Sequence, residues 1–438
     1  MTPARRCAYE VVRRVFEQGA YADRAFHACA RGLSPRDRAL AQTIAYGTVQ
    51  RRATLDHVAE ALMDRPVSRL EPAVRAALRV GLFQLLYTAG VAEHAAVSES
   101  VELVKRPSPA GSRLVNAVLR RATREAPGLV SELHDRDPRA AALLHSVPGW
   151  LAEKWWQELG PQDARALLAR VNQPAESALR VNRLLSHPGA VGAELPVASH
   201  PAQHLPEGLV LEGAFDAHGS DLWRRGAIMP QSRASMLVAR VLDPQPGELV
   251  ADLCAAPGGK TTHLAALMQD RGAVAAVERH RGRARALELT AQRLHASSVR
   301  VVVQDAVAWR SAERVDRVLV DPPCSGLGTL QSRPDLRWRI EPEAIEELAH
   351  QQSAILAAAA RALKPGGTLT YSVCTISAPE SHRLLEGYLA EHPELEVDDL
   401  GARYPGWRDG ADPRYLQLLP HRDLTDGFFI ARLRRAAD

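Results

Sequence analysis

Two of the five cysteines lie in motifs where a thiol could do chemistry rather than fill space. Cys324 stands in Asp-Pro-Pro-Cys-Ser-Gly and Cys374 in Tyr-Ser-Val-Cys-Thr, and an aliphatic segment precedes each motif. A single cysteine at the end of a strand is usually a small buried apolar residue. Two cysteines at the ligand-facing ends of separate strands favour a chemical role instead, since a thiolate is a strong nucleophile.

A pair of glycines marks a candidate ligand site in the segment Asp252-Leu-Cys-Ala-Ala-Pro-Gly-Gly-Lys-Thr261. Gly258 and Gly259 allow a tight turn that brings the backbone close to a ligand. The triphosphate-binding P-loop pattern would need a glycine where this chain has Cys254, and the dinucleotide pattern GxGxxG is missing. Both of these nucleotide-binding interpretations are therefore weak.

Two acidic residues end the next two predicted strands. Glu278 lies 20 residues after Gly258, a spacing at which a carboxylate can bind the two hydroxyls of a ribose. Asp305 ends the following strand and is a candidate acceptor for an adenine amino group. Either acid alone is more often a solvated turn residue, but both together behind a glycine turn predict an adenosine site without a phosphate cradle. S-adenosylmethionine fits such a site, because it carries adenosine and a sulfonium cation but no phosphate.

Lys260 lies at the start of the helix that follows the glycine turn. The helix macrodipole disfavours a cation at this end of a helix. We therefore expect Lys260 to have a specific partner, such as a carboxylate across the site. A solvent-exposed side chain is the alternative.

The elements that must position these residues follow from the spacing of the apolar side chains. From about residue 236, strand-like Val-, Ala- and Leu-rich segments alternate with helical segments such as His280–Leu294 and Pro342–Leu363. This alternation predicts a doubly wound parallel sheet, in which ligands bind beyond the carboxyl ends of the strands. The candidate strands are Glu248–Cys254, Ala273–Glu278, Val299–Gln304, Arg317–Asp321 and Gly367–Cys374.

A length of 438 residues is enough for about three domains. Residues 1–131 carry apolar side chains at helical spacing, which predicts an all-α bundle. Residues 140–235 combine a helical segment with the strand-like Ala178–Asn182 and predict a small α+β unit. Residues 236–438 are the predicted α/β domain.

The positive charge is concentrated at the start of the chain. Residues 1–131 contain 19 Arg and one Lys against 12 acidic residues, a net charge of +8, whereas the whole chain carries +4. The remaining residues therefore sum to −4. A basic first third favours a nucleic-acid partner, but solvation of helices by an arginine-rich composition explains the charge equally well.

The composition, with 46% hydrophobic and 24% charged residues, is ordinary for a globular protein. The sequence contains no apolar run long enough to span a membrane, and the charged amino terminus does not resemble a secretory signal. Five scattered cysteines do not form a disulfide framework, and no CxxC pair suggests zinc. We therefore expect a cytoplasmic protein with reduced thiols, no metal and no membrane association.

Several of these motifs are similar to those of one known family. DLCAAPGGKT, DPPCSGLGT followed by PDLRW, YSVCT and the terminal DGFFIARLRR resemble the RNA cytosine-5 methyltransferases of the Sun/RsmB group. DRALAQTIAYGTVQR, LRVGLFQLLYT, HAAVSESVELVK and VNAVLRRA resemble the NusB-like helical domain of the RsmB branch. Together, these two sets of motifs extend the resemblance over nearly the whole chain. The resemblance implies a Rossmann-like methyltransferase domain with a doubly wound α/β sheet, preceded by a small α+β unit and an all-α NusB-like bundle.

One motif departs from the family pattern. Family members often have an acidic-Asn-acidic cluster after the second cysteine motif, whereas this chain has Ala378-Pro-Glu-Ser-His382. 

The resemblance also implies roles for the site residues. A thiolate that adds to carbon 6 of cytosine makes carbon 5 able to accept a methyl group, and Cys374 would be that nucleophile. Cys324 would assist release of the covalent adduct. Asp321 would hydrogen-bond the cytosine edge, and Lys260 would orient Asp321. The expected cofactor-binding residues are Cys254, Ala255, Ala256, Pro257, Gly258, Gly259, Lys260, Glu278, Asp305 and Asp321.

The expected activity is therefore formation of 5-methylcytosine in small-subunit ribosomal RNA, with S-adenosylmethionine as cofactor and the protein acting as a monomer. The substrate must present an unstacked cytosine. Two other functions fit the motifs less well. A non-catalytic RNA-binding factor would not need both cysteine motifs, and a P-loop NTPase would need glycine in place of Cys254.

Overall fold

Apolar residues three and four positions apart make the first part of the chain helical. In the computed structural model, which describes residues 1–437, Met1–Pro174 and Leu330–Ile340 form one compact unit, called here the helical unit. Its first seven helices surround an aliphatic core. The helices are α1 Pro3–Glu17, α2 Ala22–Cys29, α3 Pro35–Gln50, α4 Arg52–Met63, α5 Pro72–Tyr87, α6 Glu93–Lys105, α7 Pro109–Ser131, α8 Pro138–His145 and α9 Gly149–Arg170.

The 330–340 segment belongs to the helical unit although it lies far along the chain. The guanidinium of Arg337, fully buried, donates to the backbone carbonyls of Gln50, Ser146 and Val171 at 3.4, 3.2 and 3.0 Å. These carbonyls lie at the C-terminal ends of α3, α8 and α9, where carbonyl groups lack intrahelical partners and the helix dipole is negative. Burial lowers the pKa of Arg337 to about 9, so the side chain is still a cation at neutral pH.

The second compact unit, called here the sheet unit, comprises Ala175–Thr329 and the chain from Glu341 onward. It begins with a small antiparallel sheet in the order β2-β3-β1-β4. The strands are β1 Ala178–Val181, β2 Ser199–Ala202, β3 Leu205–Leu211 and β4 Ile228–Pro230. The helices of this part are α10 Pro188–Glu194, α11 Asp221–Arg224 and α12 Arg233–Leu242.

A larger sheet follows, in the order β10-β12-β9-β8-β5-β6-β7, with β11 paired to β12. Strands β5 to β9 are parallel, and β10, β11 and β12 are antiparallel to their neighbours. The strands are β5 Leu249–Asp252, β6 Ala273–Val277, β7 Val299–Val302, β8 Val315–Val320, β9 Leu363–Val373, β10 Leu395–Val397, β11 Leu416–Leu418 and β12 Phe428–Arg435. The helices are α13 Gly259–Leu267, α14 Arg281–Arg293, α15 Pro342–Ala362, α16 His382–Glu391, α17 Leu400–Arg403 and α18 Pro420–Asp423.

Short 3₁₀ turns complete the described secondary structure. They are Val67–Arg69, Ala217–Gly219, Leu327–Thr329, Pro334–Trp338, Ala378–Glu380 and Pro405–Trp407.

The five predicted strands of the α/β domain are confirmed as β5 to β9, and both predicted helices are confirmed as α14 and α15. Side chains on the two faces of β5 enter different apolar clusters, Val250 in one and Ala251 in the other, so the parallel strands are covered on both faces. Beyond the five predicted strands, β12 pairs with β9 in antiparallel orientation. The sequence indicates this segment only as the motif DGFFIARLRR.

The boundary between the two units falls between Pro174 and Ala175. It lies inside the predicted 140–235 segment because α8 joins the helical unit, where the Thr54 hydroxyl donates to the carbonyl of Leu143 at 2.7 Å. Strand β1, by contrast, pairs with β3 and β4. The division into three domains at 131 and 235 stays a prediction.

We predict that Arg337→Ala destabilises the helical unit by about 3 kcal/mol or more, because it leaves several buried carbonyl groups without a donor. Urea denaturation monitored by circular dichroism measures the effect. Arg333→Ala is the matched control, since Arg333 lies in the same segment but is exposed. Equal stabilities of the two variants would contradict the structural role of Arg337.

Candidate active site

The register between β8 and β9 positions the two cysteine motifs. Val320 and Tyr371 are paired in this parallel ladder, so Asp321, the first residue after β8, lies beside Ser372, the second-last residue of β9. The Ser372 hydroxyl donates to Asp321 Oδ1 at 2.9 Å. Both loops therefore leave the sheet at one edge, as expected for parallel neighbours.

The two thiols predicted to share a site lie in contact. The Sγ atoms of Cys324 and Cys374 are 3.3 Å apart, and both residues are half-buried. The hydrogen bond to Cys374, burial, and the nearby carboxylates of Glu380 and Asp321 hold the pKa of Cys324 well above its usual range. Cys324 is therefore a protonated thiol at neutral pH.

Lys260 has the carboxylate partner that its position predicted. Its Nζ atom donates to Asp321 Oδ2 at 2.7 Å and lies 5.2 Å from the ring centroid of Phe428. Burial lowers the pKa of Lys260, but the charge and hydrogen bond of Asp321 and the charge of the Cys374 sulfur outweigh burial and raise it overall. Lys260 is therefore an ammonium ion paired with Asp321.

The glycine turn joins β5 to α13. Gly258 has φ +103°, and a Cβ atom there would lie 2.7 Å from Leu287 Cδ1, so glycine is needed for both backbone conformation and space. Thr261 fixes the start of α13 by donating its hydroxyl to Asp252 Oδ2 at 2.7 Å. The predicted cofactor-binding residues Cys254, Ala255, Ala256, Pro257, Gly258, Gly259 and Lys260 all lie in this turn or at the start of α13.

Glu278 follows β6 and is almost fully buried. Its Oε1 atom accepts the backbone N–H of His280 at 2.9 Å, and Oε2 lies 3.5 Å from Arg283 Nε. Arg283 also donates to the carbonyl of Ala256 at 2.7 Å, and so links the glycine turn to Glu278. Arg283 is not predictable from the sequence, because a lone arginine on a helix carries no recognisable signal.

Asp305 lies beyond β7, the strand next to β6. It is exposed, and its Oδ1 atom accepts the backbone N–H of Val307 at 2.8 Å. This bond is a local turn interaction. The carboxylate lies at the same edge of the sheet as Glu278, because β6 and β7 are parallel.

A second missed residue is Glu380, in the motif that departs from the family pattern. Its buried carboxylate accepts hydrogen bonds from Ser325 and Thr375, which directly follow the two cysteines. The only sequence signal was the acidic residue in Ala378-Pro-Glu-Ser-His382.

Asp252, at the end of β5, is a buried carboxyl group. Burial raises the pKa of Asp252 to about 6, with a smaller contribution from the charge of Asp321, while the Thr261 hydrogen bond acts in the opposite direction. This acid therefore titrates close to the physiological range.

Among residues 1–437, no helix combines the length and apolar character that crossing a bilayer requires. Within the same residues, His, Cys, Asp and Glu form no cluster of three or more that could hold a metal ion.

Three family models match successive parts of the chain. The NusB family matches residues 2–124, the ferredoxin-like domain of RsmF/B-like methyltransferases matches residues 147–218, and the 16S rRNA methyltransferase RsmB/F family matches residues 239–434. 

Full-length relatives and a solved structure agree with these matches. A probable ribosomal RNA small subunit methyltransferase B from Synechocystis is 37% identical over 448 residues, with 100% of both chains covered. A probable ribosomal RNA small subunit methyltransferase B from Bacillus subtilis is 34% identical, with 92% of each chain covered. The crystal structure of PH0851 has a TM-score of 0.84 and 28% identity, and the match covers 99% of both chains.

The Rossmann-like sheet, with its glycine turn and acidic strand ends, defines the class of S-adenosylmethionine-dependent methyltransferases. Within this class, the chain belongs to the Sun/RsmB family of ribosomal RNA small subunit methyltransferases. The predicted family, the NusB-like domain and S-adenosylmethionine as the cofactor of the family are thereby confirmed.

We predict that Asp252→Asn stabilises the protein above about pH 6. The pKa of Asp252 is raised on folding from 3.8 to about 6, so the cost of ionising the carboxyl in the folded state grows between these two pH values and is complete above the higher one. At about pH 8 the variant should gain roughly 2–3 kcal/mol. This gain should vanish towards pH 4.

Unfolding midpoints measured between about pH 4 and pH 8 test this expectation. Asp305→Asn is the matched control, because Asp305 also follows a parallel strand but is exposed. A stability difference between the Asp252 variant and the native protein that does not change with pH would contradict it.

Proposed function

We propose that the protein transfers a methyl group to carbon 5 of a cytosine in small-subunit ribosomal RNA, through a temporary bond between Cys374 and carbon 6. The observation that supports this most directly is the 3.3 Å separation of the Cys324 and Cys374 sulfur atoms beside the Lys260–Asp321 pair. The relatives are named ribosomal RNA small subunit methyltransferase B, which supports the substrate class.

The chemistry explains the need for two thiols. Carbon 5 of cytosine is a poor nucleophile while the ring stays conjugated. Addition of the Cys374 thiolate to carbon 6 breaks the conjugation and makes carbon 5 an enamine carbon that can attack a methyl group. The hydrogen on carbon 5 then leaves as a proton, and the thiolate is eliminated to restore the ring. Cys324 assists this release.

The charges around the two sulfur atoms support different roles for Cys374, the nucleophile, and Cys324, which assists release. The Lys260 ammonium interacts electrostatically with the Cys374 sulfur, so it stabilises a thiolate there and supplies the activating group that the motifs did not identify. Cys324 keeps its proton, because its hydrogen bond to Cys374, burial and nearby carboxylates raise its pKa. Asp321 is held by Lys260 and Ser372 and is oriented to hydrogen-bond the cytosine edge.

The residues of the sheet unit fit the cofactor. S-adenosylmethionine supplies the activated methyl group when it is bound. Gly258 gives the turn its left-handed backbone conformation, and the residues 254–260 would hold the cofactor together with Asp321. Glu278 would bind the ribose hydroxyls, with its carboxylate oriented by the His280 N–H and by Arg283, and Asp305 would bind the adenine amino group.

Substrate binding is assigned to the first two predicted domains. The net charge of +8 over residues 1–131 supports an RNA-binding role, since phosphate contacts by arginine dominate affinity for nucleic acids. Residues 140–235 form a second RNA-binding or linking domain, and residues 236–438 carry the catalytic groups. A monomeric, cytoplasmic enzyme that acts without a metal remains the expectation.

A non-catalytic RNA-binding factor is the alternative from another class. Such a factor has no need for adjacent thiols beside a half-buried pair of lysine and aspartate, so the contact between Cys324 and Cys374 counts against it. Transfer of label from the cofactor to unmodified ribosomal RNA distinguishes the two functions.

We predict that Cys374→Ala lowers methyl transfer by about 1000-fold or more and forms no covalent protein–RNA species, because the nucleophile is removed. Cys324→Ala should instead accumulate the adduct, since release is blocked. Labelled cofactor, mapping of 5-methylcytosine and a denaturing gel measure these outcomes. Cys29→Ala, a half-buried cysteine of the helical unit, is the control. An adduct that persists in Cys374→Ala would mean that the roles are exchanged.

A second prediction concerns RNA affinity. Arg113, Arg120 and Arg124 are exposed on α7 at spacings of seven and four residues, which place them on one helix face. Replacing all three by Gln should weaken binding and lower the slope of log K against log salt by about 2 to 3. 

Binding isotherms at several salt concentrations test this, with a triple Gln variant of Arg271, Arg285 and Arg300 as the control. These three arginines are exposed on the sheet unit. An unchanged salt slope in the α7 variant would exclude that helix face as an RNA contact.

A further inference from the structure

Glu380 is a fully buried acid that the mechanism above does not use. It ends the 3₁₀ turn Ala378–Glu380, six residues after Cys374. The groups that donate to its carboxylate are neutral: the backbone N–H and hydroxyl of Ser325, the hydroxyl of Thr375 and the amide of Gln352. A buried carboxylate is costly unless such donors surround it, so its position is strongly constrained.

These donors come from the two cysteine loops. Ser325, directly after Cys324, donates its N–H to Glu380 Oε1 at 2.8 Å and its hydroxyl to Oε2 at 2.5 Å. Thr375, directly after Cys374, has its hydroxyl 3.4 Å from Oε2. The two hydroxyl oxygens are themselves 2.6 Å apart. One carboxylate thus binds the residue that follows each thiol.

A residue of helix α15 also binds the Glu380 carboxylate. Gln352 donates its amide both to Glu380 Oε1 at 3.1 Å and to the carbonyl of Pro323 at 2.9 Å. The hydroxyl of Tyr371 donates to the carbonyl of Glu380 at 2.7 Å, and its oxygen lies 3.0 Å from Gln352 Oε1. The side chain and the main chain of Glu380 are therefore both held relative to β9, which leads into the Cys374 loop.

We propose that Glu380 is a positioning residue that sets the separation of the Cys324 and Cys374 sulfur atoms, and thereby the rate at which the covalent RNA adduct is released. This inference rests on the proposed function, because it takes Cys374 as the nucleophile and Cys324 as the group that assists release. Release needs both thiols at one cytosine, whereas the initial addition needs only Cys374. Reactions of this kind are sensitive to misplacements of about 1 Å.

The test compares Glu380→Gln with the native chain. The amide keeps the volume but replaces one acceptor oxygen with a donor, so the contact with Ser325 or with Gln352 is lost. We expect the rate of adduct release to fall by about tenfold or more and the rate of adduct formation to change by only a few-fold. Single-turnover reactions with unmodified ribosomal RNA, quenched and separated on a denaturing gel, give both rates.

Glu386→Gln is the matched control, because Glu386 is an exposed acid on the neighbouring helix α16. Ser325→Ala provides a second variant that removes a single hydroxyl, in case Glu380→Gln does not fold. We expect Ser325→Ala to slow release in the same way, and the double variant to be little worse than either single variant, since the two residues act through one contact.

Each outcome bears on one claim. If the native chain forms no 5-methylcytosine, the proposed function fails. If the native chain is active and Glu380→Gln releases its adduct at the native rate, the positioning role is refuted. A loss of activity that follows the folded fraction, with an unchanged ratio of release to formation, would show that Glu380 acts on stability alone and would also overturn the inference.

Discussion

The parallel pairing of β8 with β9 is the constraint on which the site depends. Because Val320 and Tyr371 are opposite each other, β8 ends beside the last residues of β9, and Asp321, the first residue after β8, contacts Ser372. A shift of one residue in this ladder would turn alternate side chains to the opposite face. The contact between the two sulfur atoms is therefore a consequence of backbone register, and the polar bonds of the loops refine it.

The site combines a half-buried cation, Lys260, with several acids, and the surroundings of each acid decide its role. Asp321 is paired with Lys260, which leaves Lys260 charged beside the Cys374 sulfur. Glu380, by contrast, is surrounded by the neutral donors of Ser325 and Gln352. Its negative charge and that of Asp321 disfavour ionisation of Cys324. The contact with Cys374, burial and these two acids thus keep the Cys324 thiol protonated.

The features that could be predicted from the sequence are those that depend on a single segment of the chain. Strands β5 to β9 were predicted from short apolar segments, and the carboxylate partner of Lys260 followed from the sign of the helix dipole. The antiparallel strand β12 was missed because pairing with β9 is a long-range property. The same holds for Glu380 and Arg337, whose partners lie on segments distant in sequence, and local patterns contain no information about such partners.

The 330–340 segment has a consequence for synthesis of the chain. The helical unit ends at Pro174 in its first stretch, but its buried cation, Arg337, is translated more than 150 residues later. While the ribosome is still making the sheet unit, the C-terminal ends of α3, α8 and α9 lack the guanidinium that they later surround. Maturation of the amino-terminal helices is thereby tied to completion of the loop that follows Cys324, and a fragment ending at Pro174 would lack that cation permanently.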